Sequence, residues 1–364
     1  MKDCVVVIPV YKNSFTDVEV ISLKRIVNIL NEYDIVIIIP EGLDISAFNI
    51  YLTAEINIIK FNRNCFNGFD GYNTLMLSET FYQTFIKYKY VLICQTDVFV
   101  LSNKLDYFID LNMDYIGAPI VSCHPWKNEL KSINGGFSLR NVARTLSFLE
   151  KHREQADAWK YAEDQFFQCV IQEDDDYIIA DVKTALLFAF DRFDQLSFRL
   201  NNNKYPMAVH AWFKGDLEWQ QKHLTSMLPK DFIWPHHMTF EEKRKPLEKF
   251  IINNKYIALY GAGESGRRYR EFIKYYHKDV DCYIVSDGQP KLENLDGKPV
   301  FFLSEIANTN LGIIITIDSM YRKMPDFEEI LKRKGFMNVY NPDAETSLSV
   351  TEKLLQIRYK NQKD

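Results

Sequence analysis

The sequence predicts an α/β protein of two domains: a larger one on a mixed, mainly parallel sheet with helices on both faces, then a smaller α/β domain. Three observations lead there. Short, near-continuous β-branched runs alternate with amphipathic segments through the first half, as in strands buried on both faces. Around residues 230–249 the texture turns charged and Pro-containing, after which strand and helix patterns resume. A chain of 364 residues also exceeds one ordinary core.

In order, Val5–Val10 is read as a strand and Val18–Asn31 as a helix with apolar residues at helical spacing. Ile35–Ile39 and Ile56–Phe61 follow as strands, Leu75–Ile86 as a helix, and Val91–Cys94 as a strand that stops at Gln95-Thr96-Asp97. Ligands of such sheets collect at the carboxyl ends of the strands, so Pro9-Val10-Tyr11, Glu41-Gly42 and Gln95-Thr96-Asp97 are expected to converge. The first domain should span 1–228, with a linker over 229–250, the second domain over 251–345 and a tail from 346 to 364. Within the second, a strand at Tyr256–Tyr260 leads into Gly261-Ala262-Gly263-Glu264-Ser265-Gly266 and a helix to about Tyr276. Strands at Cys282–Val285, ending at Ser286-Asp287, and at Leu311–Ile317 come next, then a helix over Met324–Lys334. Thr351–Lys360 is read as a short basic helix.

Composition narrows the function. A net charge of −5 gives no broad basic field, which argues against sequence-independent nucleic-acid binding. Six scattered cysteines without a CxxC pair fit neither a zinc pattern nor a disulfide framework. The most apolar run, Ile35–Pro40, is far short of the ~20 residues a membrane span needs. No signal-peptide pattern follows Met1. The cytoplasm is therefore the simplest compartment, with peripheral membrane contact only through a lipid-linked acceptor. Aromatic residues, at 14%, are first of all core filler, though they also suit stacking on bases or sugars. The run Glu173-Asp174-Asp175-Asp176 reads as a solvated loop rather than a metal site.

Four elements can carry chemistry. Asp97 closes an apolar strand, where a carboxylate is costly to leave unpaired; it is a candidate metal ligand, with a turn or helix-capping role as the alternative. Asn134-Gly135-Gly136-Phe137-Ser138-Leu139-Arg140 places two glycines, read as preceding a helix, where backbone could approach a ligand closely; a plain turn is the alternative. Glu163 and Asp164 open an aromatic-rich helix, as dipole partners or as a general base with a companion that holds the acceptor. Met207-Ala208-Val209-His210-Ala211-Trp212 offers an imidazole that could complete a metal shell with Asp97, or a structural histidine. Lys214 could neutralise a phosphate.

This order resembles GT-A glycosyltransferases. It is closest to an uncharacterised bacterial family of GT-A-like domains found with surface-polysaccharide genes, whose members look like Gln-x-Asp-x-Phe, Asn-Gly-Gly-Phe-Ser-Leu-Arg, Glu-Asp-x-Phe and His-Ala-Trp. The resemblance covers roughly residues 4–225 and is more distantly shared with β-1,4-galactosyltransferases. It implies a nucleotide-sugar donor, by modest preference UDP-linked, a glycan or lipid-linked acceptor, and a divalent cation, Mn²⁺ or Mg²⁺. It further implies Asp97, His210 and Met207 as metal ligands, Asp164 as base, and Glu163 touching a sugar. Pro9, Tyr11, Asn73, Gln95, Thr96, Gly135, Gly136 and Lys214 would face the donor. Gln95 departs from the pattern, standing where the first acid of Asp-x-Asp is expected, which removes one charge from the metal.

The second domain resembles small Rossmann-like domains of polysaccharide-pathway enzymes. Gly261, Gly263 and Gly266, with Asp287 ending the next strand, form a possible second nucleotide site; a structural or partner-docking role is the alternative. Three further readings compete with the transferase. A nucleotidyltransferase should carry a Gly-rich basic loop after the first strand, which Pro9-Val10-Tyr11-Lys12-Asn13 lacks. An NAD-linked oxidoreductase leaves the first 225 residues without a purpose. A non-catalytic nucleotide- or glycan-binding protein would tolerate Gln95.

Overall fold

The computed structural model describes residues 3–46, 56–121, 129–171, 174, 176–317 and 325–360. The chain forms two compact units, one from Met1–Ser122 and Leu130–Pro235, the other with His236–Asp364 as its main part. Among the described residues, no helix is long and apolar enough to cross a membrane.

In the first unit the strands are β1 (Cys4–Pro9), β2 (Asp34–Pro40), β3 (Asn57–Phe61), β4 (Tyr90–Cys94), β5 (Phe99–Val100), β6 (Tyr115–Gly117), β7 (Pro119–Val121), β8 (Leu130–Ser132), β9 (Phe137–Asn141), β10 (Ala189–Asp191) and β11 (Ala208–His210). The main sheet runs β3-β2-β1-β4-β9-β6. Strands β3, β2, β1 and β4 are parallel, and β9 is antiparallel to both of its neighbours. This is the mixed, mainly parallel α/β sheet expected.

Strand periodicity explains why it is covered twice. Val6, Ile8, Leu92 and Cys94 join one apolar cluster with Leu23 and Ile26 of the helix Asp17–Ile29. Val5, Val7, Val91 and Ile93 join a second with Phe81, Phe148 and Phe167 from helices on the other face. A small sheet, β10-β11-β5, and the hairpin β7-β8 complete the unit.

Some expectations are corrected. The single helix expected at Leu75–Ile86 is two, Gly68–Met76 and Glu79–Thr84. Ser78 divides them: its hydroxyl accepts the Phe81 N–H at 3.3 Å and starts the second helix. Of the acidic run, Glu173 and Asp175 lie outside the described residues, and Asp174 is buried, paired with Lys151 at 3.0 Å, rather than solvated.

In the second unit, β12 (Ile257–Tyr260), β13 (Cys282–Val285), β14 (Asn294–Leu295), β15 (Lys298–Phe302), β16 (Gly312–Ile315) and β17 (Val339–Tyr340) form a sheet in the order β14-β15-β13-β12-β16-β17. All of its pairings are parallel except that of β14 with β15. The expected linker holds a helix, Phe240–Asn253, started by a capping box between Thr239 and Glu242 and tolerating Pro246 inside it. The expected tail is likewise the helix Ala344–Lys360. Leu247 and Ile251 of the former and Val350 and Leu354 of the latter share one core, so both stretches are integral to this unit. Charged outer faces hid their apolar stripes from a reading by composition.

Candidate active site

The site is built where β4 ends. Because β9 runs antiparallel beside it, with Cys94 opposite Phe137, the residues just before β9 lie next to those just after β4. Gln95 donates its backbone N–H to the Gly136 carbonyl at 2.9 Å. The two glycines thus open a strand, not the helix expected from the sequence.

On one side of this turn is a charged cluster. His210 ends β11, and Oδ1 of Asp97 lies 3.4 Å from its Nε2. Gln95 Oε1 is 3.3 Å from the same nitrogen. Lys214 donates to Asp97 Oδ2 at 2.7 Å. Its return depends on a tight turn in which Ala211 and Phe213 adopt left-handed φ values of 50° and 64°. Lys214 N–H closes that turn on the Ala211 carbonyl at 3.0 Å. Trp212, fully buried, anchors it with a 2.7 Å hydrogen bond from its indole to Ser22. Burial alone would push the Asp97 carboxyl up, but His210 and Lys214 hold it well below the usual carboxylate range. Burial likewise opposes charge on His210, yet Asp97 and Asp191 outweigh it and carry the imidazole to about 9.

On the other side are the acids. Glu163 and Asp164 begin the helix Glu163–Val170, whose preceding residue, Ala162, supplies no side-chain cap. Asn73 substitutes from a distance: its Oδ1 accepts the Glu163 N–H at 2.8 Å. Glu163 Oε1 accepts from Arg140 at 2.9 Å, while its buried Oε2 has no hydrogen-bond partner among the described residues. Arg140 is itself fully buried and also donates to Ser138 and Tyr82 at 3.0 Å each. Asp164 retains some solvent access. Desolvation by the surrounding chain, joined by the neighbouring Glu163 charge, pushes its carboxyl up to about 7, against the pull of the Gly135 N–H and Arg140.

The glycines are required by these approaches. A Cβ at Gly135 would collide with Glu163 Oε1, and one at Gly136 with the His210 ring. Gly136→Ala is therefore expected to displace His210 while leaving the fold in place. The check is a comparison of affinity for the expected nucleotide-sugar ligand with thermal midpoint: affinity should fall by more than tenfold, roughly the 1.4 kcal/mol a displaced polar contact costs, with a midpoint near that of the wild type.

The structure thus brings together Gln95, Asp97, Gly135, Gly136, Glu163, Asp164, His210 and Lys214. Other expected residues are used differently. Met207, expected as a metal ligand, is fully buried in the hydrophobic core. Asn73 is buried with both ends of its amide engaged, to Glu163 and to the Phe69 carbonyl at 2.7 Å. Thr96 turns its hydroxyl to Glu19 at 3.3 Å. Pro9 ends β1 in the core, and Tyr11 beyond it is 60% exposed.

Three participants escaped the sequence reading: Asp191, Asn134 as a side chain, and Arg140 as a buried cation. Asp191 carries a readable signal, an acid closing the apolar run Leu186–Phe190, the same signature that marks Asp97.

Among the described residues, no group of three or more His, Cys, Asp or Glu side chains is arranged to hold a metal ion. Asp97 and His210 form a pair of oxygen and nitrogen donors, so the chain offers part of a coordination shell. In the second unit, Gly261 (φ 127°) lies in the turn between β12 and the helix Glu264–Tyr275, Gly263 is that helix's N-cap and Gly266 lies in its first turn. Asp287 accepts from the Ser304 N–H and hydroxyl at 3.0 and 2.6 Å.

Among solved structures, the galactosyltransferase LgtC is similar at 14% identity, over 62% of this chain and 98% of that one, with a TM-score of 0.42. The glycosyltransferase GlyE of Streptococcus pneumoniae TIGR4 is similar at 14% identity over 99% of both chains, with a TM-score of 0.39. Mouse xyloside xylosyltransferase 1 is 10% identical over 56% of this chain and 96% of that one, with a TM-score of 0.38. These values are too low to assign an activity. No curated protein matches the sequence. Residues 55–210, which hold both clusters apart from Lys214, match the family described as "Protein of unknown function (DUF5672)".

Proposed function

We propose that the first unit is an inverting glycosyltransferase that moves a sugar from a nucleotide donor, UDP-linked by preference, to a hydroxyl of a glycan or lipid-linked oligosaccharide, in surface-polysaccharide synthesis. One observation carries this reading: the Asp97–His210 pair and the Glu163–Asp164 acids meet on opposite sides of Gly135-Gly136. A donor's diphosphate and an acceptor's hydroxyl need that pairing of a charge-neutralising site with a base.

The two acids divide the work. Glu163 Oε1 is held by Arg140, so the Glu163 side chain is fixed, with Oε2 left to accept an acceptor hydroxyl. Asp164 is the base; a carboxyl near 7 takes a proton at neutral pH and does so better than an ordinary aspartate. A single acid in that role implies single displacement and hence inversion. Lys214 supplies positive charge beside Asp97.

Asp97 and His210 would hold a divalent cation, Mn²⁺ or Mg²⁺, with diphosphate oxygens filling the rest of its shell. Bound there, the ion would neutralise charge growing on the leaving diphosphate. Gln95 adds a neutral oxygen where an acid would add charge, so cation affinity should depend on the donor.

A thermal-shift screen of nucleotide sugars, with and without Mn²⁺, tests the proposal. One donor should raise the midpoint selectively and more strongly with Mn²⁺, by about 2.7 kcal/mol of stabilisation at a hundred times its Kd. A shift unaffected by Mn²⁺ removes the cation from the scheme. No shift with any donor rejects the reading.

A further inference from the structure

The Asp97–His210 pair depends on an imidazole presented in one orientation, and the chain contains a device for this outside the expected motifs. Asp191 and His210 are register partners on the parallel strands β10 and β11. Both are buried, at 5% and 6% exposure, and Asp191 Oδ1 lies 3.2 Å from His210 Nδ1. The other Asp191 oxygen accepts from Asn134 Nδ2 at 3.4 Å. Asn134 Oδ1 in turn accepts the Gly136 N–H at 2.9 Å. A continuous chain of hydrogen bonds therefore runs from the glycine turn through Asn134 and Asp191 to the far side of the imidazole. Arg192 lies 3.9 Å from Asp191 but is partly exposed, and adds charge rather than direction.

We propose that Asp191, held by Asn134, is a positioning residue that fixes the His210 ring, with Nδ1–H donated to its carboxylate and Nε2 left to hold a cation together with Asp97. The inference rests on the cation-assisted transferase reading above. A carboxylate only accepts, and one stands at each ring nitrogen, Asp191 at Nδ1 and Asp97 at Nε2; a cation shared by Asp97 and Nε2 would replace the Nε2 proton and leave the single N–H at Nδ1, donated to Asp191. Nε2, 3.4 Å from Asp97 Oδ1, is then the nitrogen left to share a cation with that oxygen. Carboxylates behind metal-bound histidines work this way elsewhere, and their loss costs ~10–100-fold in metal affinity.

The test measures free Mn²⁺ by electron paramagnetic resonance over the wild type, Asp191→Ala and Asp191→Asn, with donor present. Asp191→Ala is expected to weaken Mn²⁺ binding ~10–100-fold. Asp191→Asn, which keeps an acceptor for Nδ1–H, should fall between the two. A second readout separates orientation from loss of structure: long-range ¹H–¹⁵N spectra with Mg²⁺, the His210 signals being identified by their disappearance in His210→Gln. The wild type should show the proton on Nδ1, and Asp191→Ala a mixture of tautomers. If Asp191→Ala binds Mn²⁺ as the wild type does, or keeps its Nδ1 proton fully, the positioning role falls and the transferase reading stands. If the wild type binds no Mn²⁺, both the positioning role and the cation fall together.

Discussion

Asp164→Asn is expected to lower turnover by ~10²–10⁴-fold while leaving donor affinity unchanged, since the amide keeps the shape of the side chain but takes no proton. The check is turnover with the donor found in the thermal-shift screen, alongside its Kd. In the wild type, kcat/KM should rise with pH and level off above about 7, where the carboxyl becomes ionised; the residual rate of the variant should lack that step. Stability should move the other way. A carboxyl whose folded pKa is raised from 3.8 to about 7 favours its protonated form in the fold. Its penalty is absent below the unfolded value, grows as pH rises from 3.8 to about 7, and stays constant above that. Asn removes the penalty, so Asp164→Asn should gain thermal stability over the wild type at pH 8 and gain less at pH 5. A variant equally active, or one destabilised at pH 8, would contradict the assignment of Asp164 as the desolvated base.

The second large effect is on folding. Arg140→Met should cost ~3–5 kcal/mol in urea denaturation, the usual consequence of removing one partner of a buried ion pair. The guanidinium is fully buried, bonded to Glu163, Ser138 and Tyr82, and lies 4.8 Å from the Tyr115 ring centre. Methionine keeps much of the packing and leaves the buried Glu163 side chain without its cationic partner. Adding Glu163→Gln should recover part of the loss, because the remaining group then carries no charge. Absence of recovery would show that packing rather than charge governs the position.

The fold was legible where side-chain period decides structure. The runs at Val5–Val10, Ile35–Ile39 and Val91–Cys94 became β1, β2 and β4 because uninterrupted β-branched residues suit a sheet covered on both faces. Phe240–Asn253 was missed because Glu, Lys and Arg dominate it and its buried positions are few: Arg244, Leu247 and Ile251. Residue types at a strand end, at a helix start and in the Met207–Trp212 stretch picked out Asp97, the Glu163–Asp164 pair and His210 as candidates. Pattern could not say what Asn73 or Met207 pack against, since a hydrogen bond across 90 residues and burial in the core are tertiary facts. Asp191 was legible but overlooked, its signal identical in kind to that of Asp97.

Gly135 and Gly136 are consecutive, and their missing side chains face different neighbours, the glutamate on one hand and the imidazole on the other. One peptide plane therefore serves as the partition between the two halves of the centre, thin enough that neither half can shift without pressing on the other. Substitutions on opposite sides of it should combine non-additively, and a double-mutant cycle between Gln95 and Glu163 would register that coupling although the pair shares no hydrogen bond.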